Sequence, residues 1–283
     1  MRPLSKTGNY ISTRIGRAIA DYDLIKDKDK ILVAVSGGKD SLTMLELLNE
    51  RKKWAPISYD LVAMHVETDH RCGGCVHTKI LKKFFEDRDI EYVFEKIKVL
   101  DKNKKTSCFW CSWNRRKALF LAADRLGCNK IALGHHKDDI IETLLLNIFY
   151  QGEFAAMNPR QELFDGKLVL IRPLSYVEED AMRKFAKESA FPSQICRCPN
   201  ADTSKRRMMK NIIGDLEKGC PQVRTNIFRS VSRVKEDYIR IKDPEIQELE
   251  EEVKIMAKGG EINGRESRKG RNKAEEGLSL LRR

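Results

Sequence analysis

The segment Ser36–Ser41, with the sequence SGGKDS, has residue types that suit the binding of a phosphate. Its two glycines let backbone N–H groups approach an anion closely, and a helix beginning there adds the positive end of its dipole. Lys39 supplies a positive charge as well. The segment directly follows the apolar run ILVAV, which is typical of a buried parallel strand. We therefore expect an anion site at a strand-to-helix turn, although the glycine spacing is not that of a Walker loop.

A second polar group, GHHKDD at 134–139, follows the apolar segment KIAL and opens the next predicted helix. Ligands of open α/β sheets bind outside the carboxyl ends of the strands, so Gly134, His135, Asp138 and Asp139 should face the same crevice. The carboxylates suit Mg²⁺ or the orientation of a reacting base. An aspartate that only caps the helix, beside a solvated histidine pair, is the alternative interpretation.

Four of the eight cysteines form two short motifs, CFWC at Cys108 and Cys111 and CRC at Cys196 and Cys198. A CxxC pair with a distant third cysteine can hold a metal centre that keeps one coordination position open. Structural zinc is normally closed by four ligands, whereas a cubane with three thiolates leaves one iron able to bind sulfide. A redox pair or half of a zinc site has the same CxxC spacing.

The elements that must position these residues alternate along the chain. After an amphipathic opening helix and the strand ILVAV, the pattern predicts strands at 60–66, 91–95, 130–133 and 167–171 and helices at 76–88, 112–126 and 137–150. This order indicates a doubly wound parallel sheet covered on both faces. Beyond Arg172-Pro173-Leu174 the pattern is helical, near 177–189, 203–218 and 221–240.

These patterns divide the chain into four predicted parts. They are an N-terminal helical segment at 1–29, an α/β domain at 30–175, a C-terminal helical part at 176–257 and a charged, disordered tail at 258–283.

The composition points to a polyanionic partner. The net charge is +12 and the pI is about 9.3, and Lys and Arg that neutralise phosphates release condensed counterions. The chain has neither eighteen consecutive apolar residues nor the apolar core of a secretory signal at its start, so we expect a cytoplasmic protein with no membrane partner.

The string SGGKDS resembles the PP-loop, the SGGxDS signature of the adenine nucleotide alpha hydrolases, which form adenylates from ATP and release pyrophosphate. The resemblance implies that the loop residues Ser36, Gly37, Gly38, Lys39, Asp40 and Ser41 bind ATP, with Gly134 and His135 in the same site. Asp40 should also help to hold Mg²⁺. Asp40, Asp138 and Asp139 are the predicted catalytic residues.

From Arg14 to about Asn211 the chain resembles the tRNA 2-thiocytidine synthetases, the TtcA group of PP-loop enzymes. Matching segments include AIADYDLI, SGGKDS, the CxxC followed by Arg115-Arg116, KIALGHHKDDIIETLLLNIFY, GKLVLIRPLSY and AFPSQIC. The resemblance implies a 4Fe-4S cluster held by three cysteines and ATP-dependent thiolation of cytidine 32 in the tRNA anticodon loop. It also implies a sulfur donor, such as a cysteine desulfurase or free sulfide.

The resemblance assigns Cys108 and Cys111 to the cluster, and Cys196 by its offset after Ala190-Phe191-Pro192. This chain has CRC where the family has CxxC, so Cys198 is the alternative third ligand. A further pair, Cys72 and Cys75, stands where the family has none. A zinc site with His70 or His77 and a persulfide relay are the functional alternatives, but we expect no essential role for the pair.

Three other functions remain open at this point: 2-thiouridine synthesis, a cluster-free PP-loop ligase, and a zinc-bearing RNA-binding module without catalysis. The sequence also leaves the oligomeric state open, a homodimer included.

Overall fold

The computed structural model of the protein describes residues 4–69, 78–103, 105–192 and 205–238. Eight α-helices and six strands occur in these ranges. The helices are α1 (Lys6–Tyr22), α2 (Lys39–Arg51), α3 (Thr78–Glu86), α4 (Cys108–Arg125), α5 (Lys137–Gln151), α6 (Glu179–Glu188), α7 (Lys205–Gly219) and α8 (Val223–Ser230). The strands are β1 (Asp29–Ala34), β2 (Tyr59–Thr68), β3 (Glu91–Ile97), β4 (Lys130–Ala132), β5 (Arg160–Leu163) and β6 (Leu168–Ile171).

The strands form a single sheet in the order β3-β2-β1-β4-β6-β5. Every neighbouring pair is parallel except β5 with β6. The central pair, β1 and β4, aligns Leu32 with Ile131, and a buried ion pair of 2.7 Å joins Asp29 to Lys130 at the amino end of both strands. Because parallel strands end at the same edge, the segments that follow β1 and β4 meet there.

Apolar side chains cover both faces of this sheet. Ile31 and Val33 of β1 pack in one core with helices α1, α2, α3 and α6, while Leu32 between them packs in another core with α4. This alternation follows from the period of two along a strand. It confirms the predicted doubly wound α/β fold.

The structure corrects the prediction for three segments. Strand β5 was not predicted, and it forms a hairpin with β6 through Phe164-Asp165-Gly166, all with positive φ. Helix α4 begins at Cys108 instead of 112, because Ser107 is its N-cap and accepts a 3.1 Å hydrogen bond from the Trp110 amide. The helix predicted at 221–240 ends at Ser230.

The first compact unit of the chain ends at Ser232. Of the unit that follows, residues 233–238 are described, and Glu236–Tyr238 form one turn of 3₁₀-helix. Among the described helices, none combines the length and the apolar character needed to cross a membrane. The predicted division of the chain into four parts stays a prediction.

Candidate active site

The segment Ser36–Ser41 forms a tight turn between β1 and α2. Gly37 has a φ of 85°, in the left-handed region that favours glycine. The Gly38 amide donates a 3.2 Å hydrogen bond to Ser36 Oγ, and Ser41 Oγ donates at 3.0 Å to the Gly38 carbonyl. Gly38 is the N-cap residue of α2 and has no side chain to cap the helix. The first amides of α2 therefore face the turn, as an anion site requires.

Two side chains of this loop carry its charge. Lys39 Nζ lies 3.2 Å from Asp40 Oδ2 and 3.1 Å from Glu179 Oε1 at the start of α6. Burial opposes the charged form of Lys39, but the two carboxylates outweigh it and raise its pKa. Asp40 Oδ1 is buried and has no hydrogen-bond partner among the described residues. A buried carboxylate oxygen without a donor fits a Mg²⁺ ligand.

Gly134 brings the second polar group against this loop. A Cβ atom at Gly134 would lie 3.2 Å from both the Cα and the N of Ser41, so only glycine allows this approach without a shift of the backbone. The structure thus brings the segments 36–41 and 134–139 together at the carboxyl edge of the sheet. Adjacency of β1 and β4 in the sheet explains the contact.

The imidazole of His135 lies in a positive region of this crevice. Burial lowers its pKa to about 4, and the positive charges of Arg172, Arg206 and Arg116 add to the effect against the negative charge of Asp139. Its Nδ1 atom is buried without a hydrogen-bond partner among the described residues. A neutral imidazole in a cationic surrounding suits contact with a nucleotide near neutral pH.

Asp138 joins the crevice to the C-terminal helices. Its Oδ2 accepts a 2.9 Å hydrogen bond from the Glu179 amide, and its Oδ1 accepts one from Arg224 of α8. The side chain is 5% exposed. Burial disfavours ionisation, yet His136, the Glu179 amide and Arg224 together hold the pKa of Asp138 well below its usual range.

Asp139, the next residue of α5, is held in a similar manner by a residue of α7. Its Oδ2 accepts a 3.1 Å hydrogen bond from the His136 amide, which is a helix-capping contact, and its Oδ1 accepts a 2.8 Å hydrogen bond from Arg206 of α7. The capping interpretation therefore describes part of what Asp139 does. The catalytic role of Asp138 and Asp139 stays a prediction.

Sequence analysis missed three residues of this site: Glu179, Arg206 and Arg224. Glu179 also pairs with Lys210, and although burial opposes its ionisation, Lys210 and Lys39 lower its pKa to about 2. Glu179, Arg206 and Arg224 are 41 to 86 residues away in sequence from the aspartates that they contact, Asp138 and Asp139. No local motif signals pairs at that separation.

The CxxC formed by Cys108 and Cys111 lies at the start of helix α4. Cys111 is half-buried in the first turn of the helix, and Cys108 is the first helical residue, with a side chain that lies outside the described part of the structure. Cys72, Cys75, Cys196 and Cys198 also lie outside the described residues. Within the described ranges, no three His, Cys, Asp or Glu side chains are grouped to hold a metal ion.

Helix α4 carries two arginines, Arg115 and Arg116, whose charges affect residues near the segments 36–41 and 134–139. Burial lowers the pKa of His135, Arg172 and His65, and the positive charge of Arg116 adds to this effect at His135 and Arg172, as that of Arg115 does at His65. His65 Nδ1 lies 2.7 Å from the Val35 carbonyl, beside the glycine loop. Because α4 connects the parallel strands β3 and β4, it begins at the carboxyl edge of the sheet, where the crevice lies.

Comparison with known proteins places this arrangement in a family. Residues 9–206 match the model of the PP-loop domain. A tRNA-cytidine(32) 2-sulfurtransferase of Geobacter sulfurreducens is 38% identical over 247 residues, which cover 84% of this chain and 94% of the relative. Another, from Polynucleobacter necessarius subsp. necessarius, is 40% identical over 78% of this chain and 74% of its own.

A solved structure has a similar fold. It is the U34-tRNA thiolase NcsA from Methanococcus maripaludis with its [4Fe-4S] cluster, which superposes with a TM-score of 0.64 at 25% identity and covers 83% of this chain and 80% of its own.

Proposed function

Because this chain belongs to the tRNA-cytidine(32) 2-sulfurtransferase family of PP-loop enzymes, we propose that its glycine loop uses ATP to activate the cytidine and that its cysteines deliver the sulfur. The observation that best supports this proposal is the close approach of Gly134 to the backbone of Ser41. It brings two motifs that are distant in sequence into one crevice that suits a nucleotide.

The chemistry needs such a crevice because a ring carbonyl oxygen is a poor leaving group. The C2 oxygen of the base attacks the α-phosphate of ATP, and pyrophosphate leaves. A sulfur nucleophile then forms a bond to C2, and AMP leaves with the original oxygen. Holding the base in place between the two reactants supplies rate by proximity.

The loop residues have distinct proposed roles in the first step. The α2 amides together with Ser36 and Ser41 hold the phosphates that leave as pyrophosphate. Lys39 exchanges a carboxylate for a phosphate oxygen, and Asp40 Oδ1 binds Mg²⁺. His135, held neutral by burial, contacts the nucleotide.

We propose Cys108, Cys111 and Cys196 as the three thiolate ligands of a 4Fe-4S cluster, with Cys198 as the alternative to Cys196. A cluster with three protein ligands supplies one open iron position for sulfide. Support comes from the CxxC at the start of α4, beside the crevice, and from the cluster of the NcsA thiolase. A cysteine desulfurase or free sulfide as the donor, a homodimer and a cytoplasmic location stay predictions.

Single Ala variants at Cys108, Cys111, Cys196 and Cys198, reconstituted anaerobically, test the ligand set through iron, sulfide and EPR. Cys220→Ala is the matched control, because Cys220 is exposed at the end of α7. We expect loss of the cluster at the first three positions only. A full 4Fe-4S signal in Cys108→Ala would refute the proposed cluster site. Loss of the cluster in Cys198→Ala, with the cluster retained in Cys196→Ala, would show that Cys198 is the third ligand.

Mass spectrometry of nucleosides from a deletion strain, with and without the complementing gene, tests the reaction. We expect 2-thiocytidine to disappear in the deletion strain and to return on complementation. If complementation restored 2-thiouridine and not 2-thiocytidine, the proposal that cytidine is the substrate would be wrong. An active protein that lacks iron after anaerobic purification would favour a cluster-free ligase.

A further inference from the structure

Helix α4 exposes an unusual concentration of aromatic surface. Trp110 and Trp113 are 49% and 46% exposed, and Phe109 beside them is 77% exposed. The two indole rings lie nearly parallel, with an interplanar angle of 11° and centroids 5.6 Å apart. Large apolar side chains gathered at a surface mark a binding site more often than isolated ones do.

The same helix supplies the positive charge that a nucleic acid would need. Lys117 Nζ lies 5.5 Å from the ring centroid of Trp113, and Arg115 and Arg116 precede it in sequence. We call Phe109, Trp110, Trp113 and Lys117 the aromatic-basic surface. A purely apolar protein partner would gain little from a lysine above an indole, whereas a phosphate backbone beside stacked bases would gain from both groups.

The surface lies next to the proposed chemistry. Its tryptophans alternate with Cys108 and Cys111 in the first two turns of α4. A helix is about 10–12 Å across with its side chains, so a strand that reaches the cysteines passes within that distance of the tryptophans. The other side of α4, including Ala118, Ala122 and Ala123, is buried against the sheet.

We propose that the aromatic-basic surface stacks unpaired nucleotides of the tRNA anticodon loop that neighbour the thiolated cytidine. This inference rests on the proposed function. Single-stranded bases stack on aromatic side chains whatever their identity, while paired bases do not present their faces. The surface would therefore hold the loop beside the cysteines and would distinguish a loop from a duplex without reading its sequence.

The three tryptophans of the chain allow a direct test, since two belong to the surface and the third, Trp54, lies elsewhere. Trp54 is a matched control because it is also exposed and lies over a cation, with Arg51 4.6 Å from its centroid. In Trp54→Phe, all indole emission comes from Trp110 and Trp113. An anticodon stem-loop should quench this emission, and a blunt duplex of the same stem should not.

Affinity gives the second measurement. Stacking energies for one base correspond to a change of about 5- to 150-fold, so Trp110→Ala/Trp113→Ala should weaken stem-loop binding by about tenfold or more. Trp54→Ala should bind as the wild type does, and Trp113→Phe should keep most of the affinity. Iron content and ATP affinity should stay unchanged in the double variant.

Three results would overturn the inference. The first is a stem-loop affinity of the double variant equal to that of the wild type. The second is quenching by the duplex equal to quenching by the stem-loop. The third is a lower molecular mass in solution for the double variant than for the wild type, which would make the surface a contact between copies of the chain. Failure of the proposed function is distinguishable, since the wild type would then form no 2-thiocytidine in any tRNA.

Discussion

Arg224→Ala tests whether Asp138 serves to attach the C-terminal helices to the crevice. Asp138 is almost fully buried, and Arg224 forms an ion pair with its Oδ1 while His136 Nδ1 lies 3.6 Å from its Oδ2. Removing one partner of a buried pair costs about 3–5 kcal/mol, because the other charge stays buried without compensation. Asp138 keeps the 2.9 Å hydrogen bond from the Glu179 amide and the neighbouring His136, so the expected loss is at the lower end, about 3 kcal/mol. For a domain of this size that loss lowers Tm by about 6–12 °C.

Thermal and urea unfolding of wild type, Arg224→Ala, Asp138→Asn and the double variant would measure this coupling. Asp138→Asn keeps an oxygen for the Glu179 amide but removes the charge, so its pairing with Arg224 is weakened without leaving a buried anion. The double variant should therefore be more stable than the sum of the single losses predicts. Strictly additive losses would refute the reasoning.

The pH dependence follows from the lowered pKa of Asp138. A carboxyl group with a depressed folded-state pKa contributes stability above its unfolded value, about 3.9, and loses it as the pH falls through the folded value. The stability difference between wild type and Arg224→Ala should be constant from pH 7 to 5 and narrow only below about pH 4. A difference that vanished between pH 7 and 5 would assign the effect to another group.

The remaining predictions concern the nucleotide loop and tRNA. Asp40→Ala should lower ATP-dependent thiolation about a hundredfold or more with unchanged iron content, and wild-type turnover would contradict the Mg²⁺ assignment. Gly134→Ala should weaken ATP binding about tenfold by pushing on the Ser41 backbone, whereas Gly214→Ala on α7, which has open space, should leave it unchanged, as titration calorimetry would show. A plot of the logarithm of tRNA affinity against the logarithm of salt concentration should have a negative slope of about 0.7 to 0.9 per phosphate contacted. An affinity independent of salt would show that the protein does not bind the phosphates through its basic residues.

Local signals in the sequence were sufficient for the sheet and the glycine loop. The loop is a single run of six residues after an apolar strand, and strand adjacency at the carboxyl edge follows from general rules for parallel sheets. The partners of Asp138 and Asp139 were not predictable, because they lie on helices whose packing decides the contact. Strand β5 had a signal that was overlooked, the Asp165-Gly166 turn between two short extended segments.

The end of α8 shows a different limit. Apolar content falls along the predicted helix 221–240, and the structure ends the helix at Ser230, where few buried contacts remain to support it. A helix of weak propensity depends on tertiary packing, which the local pattern does not reveal.

The pairing of β1 with β4 has a consequence for how the protein is made. Lys130 and Asn129 contact Asp29 across about a hundred residues, and the two halves of the crevice are separated by the same interval. A ribosome that has released the complete glycine loop has therefore not yet released the strand against which β1 must align. Closing so long a loop is entropically costly and slow. The nascent chain should acquire nucleotide affinity in one step, after β4 emerges, and a short fragment carrying SGGKDS should have none.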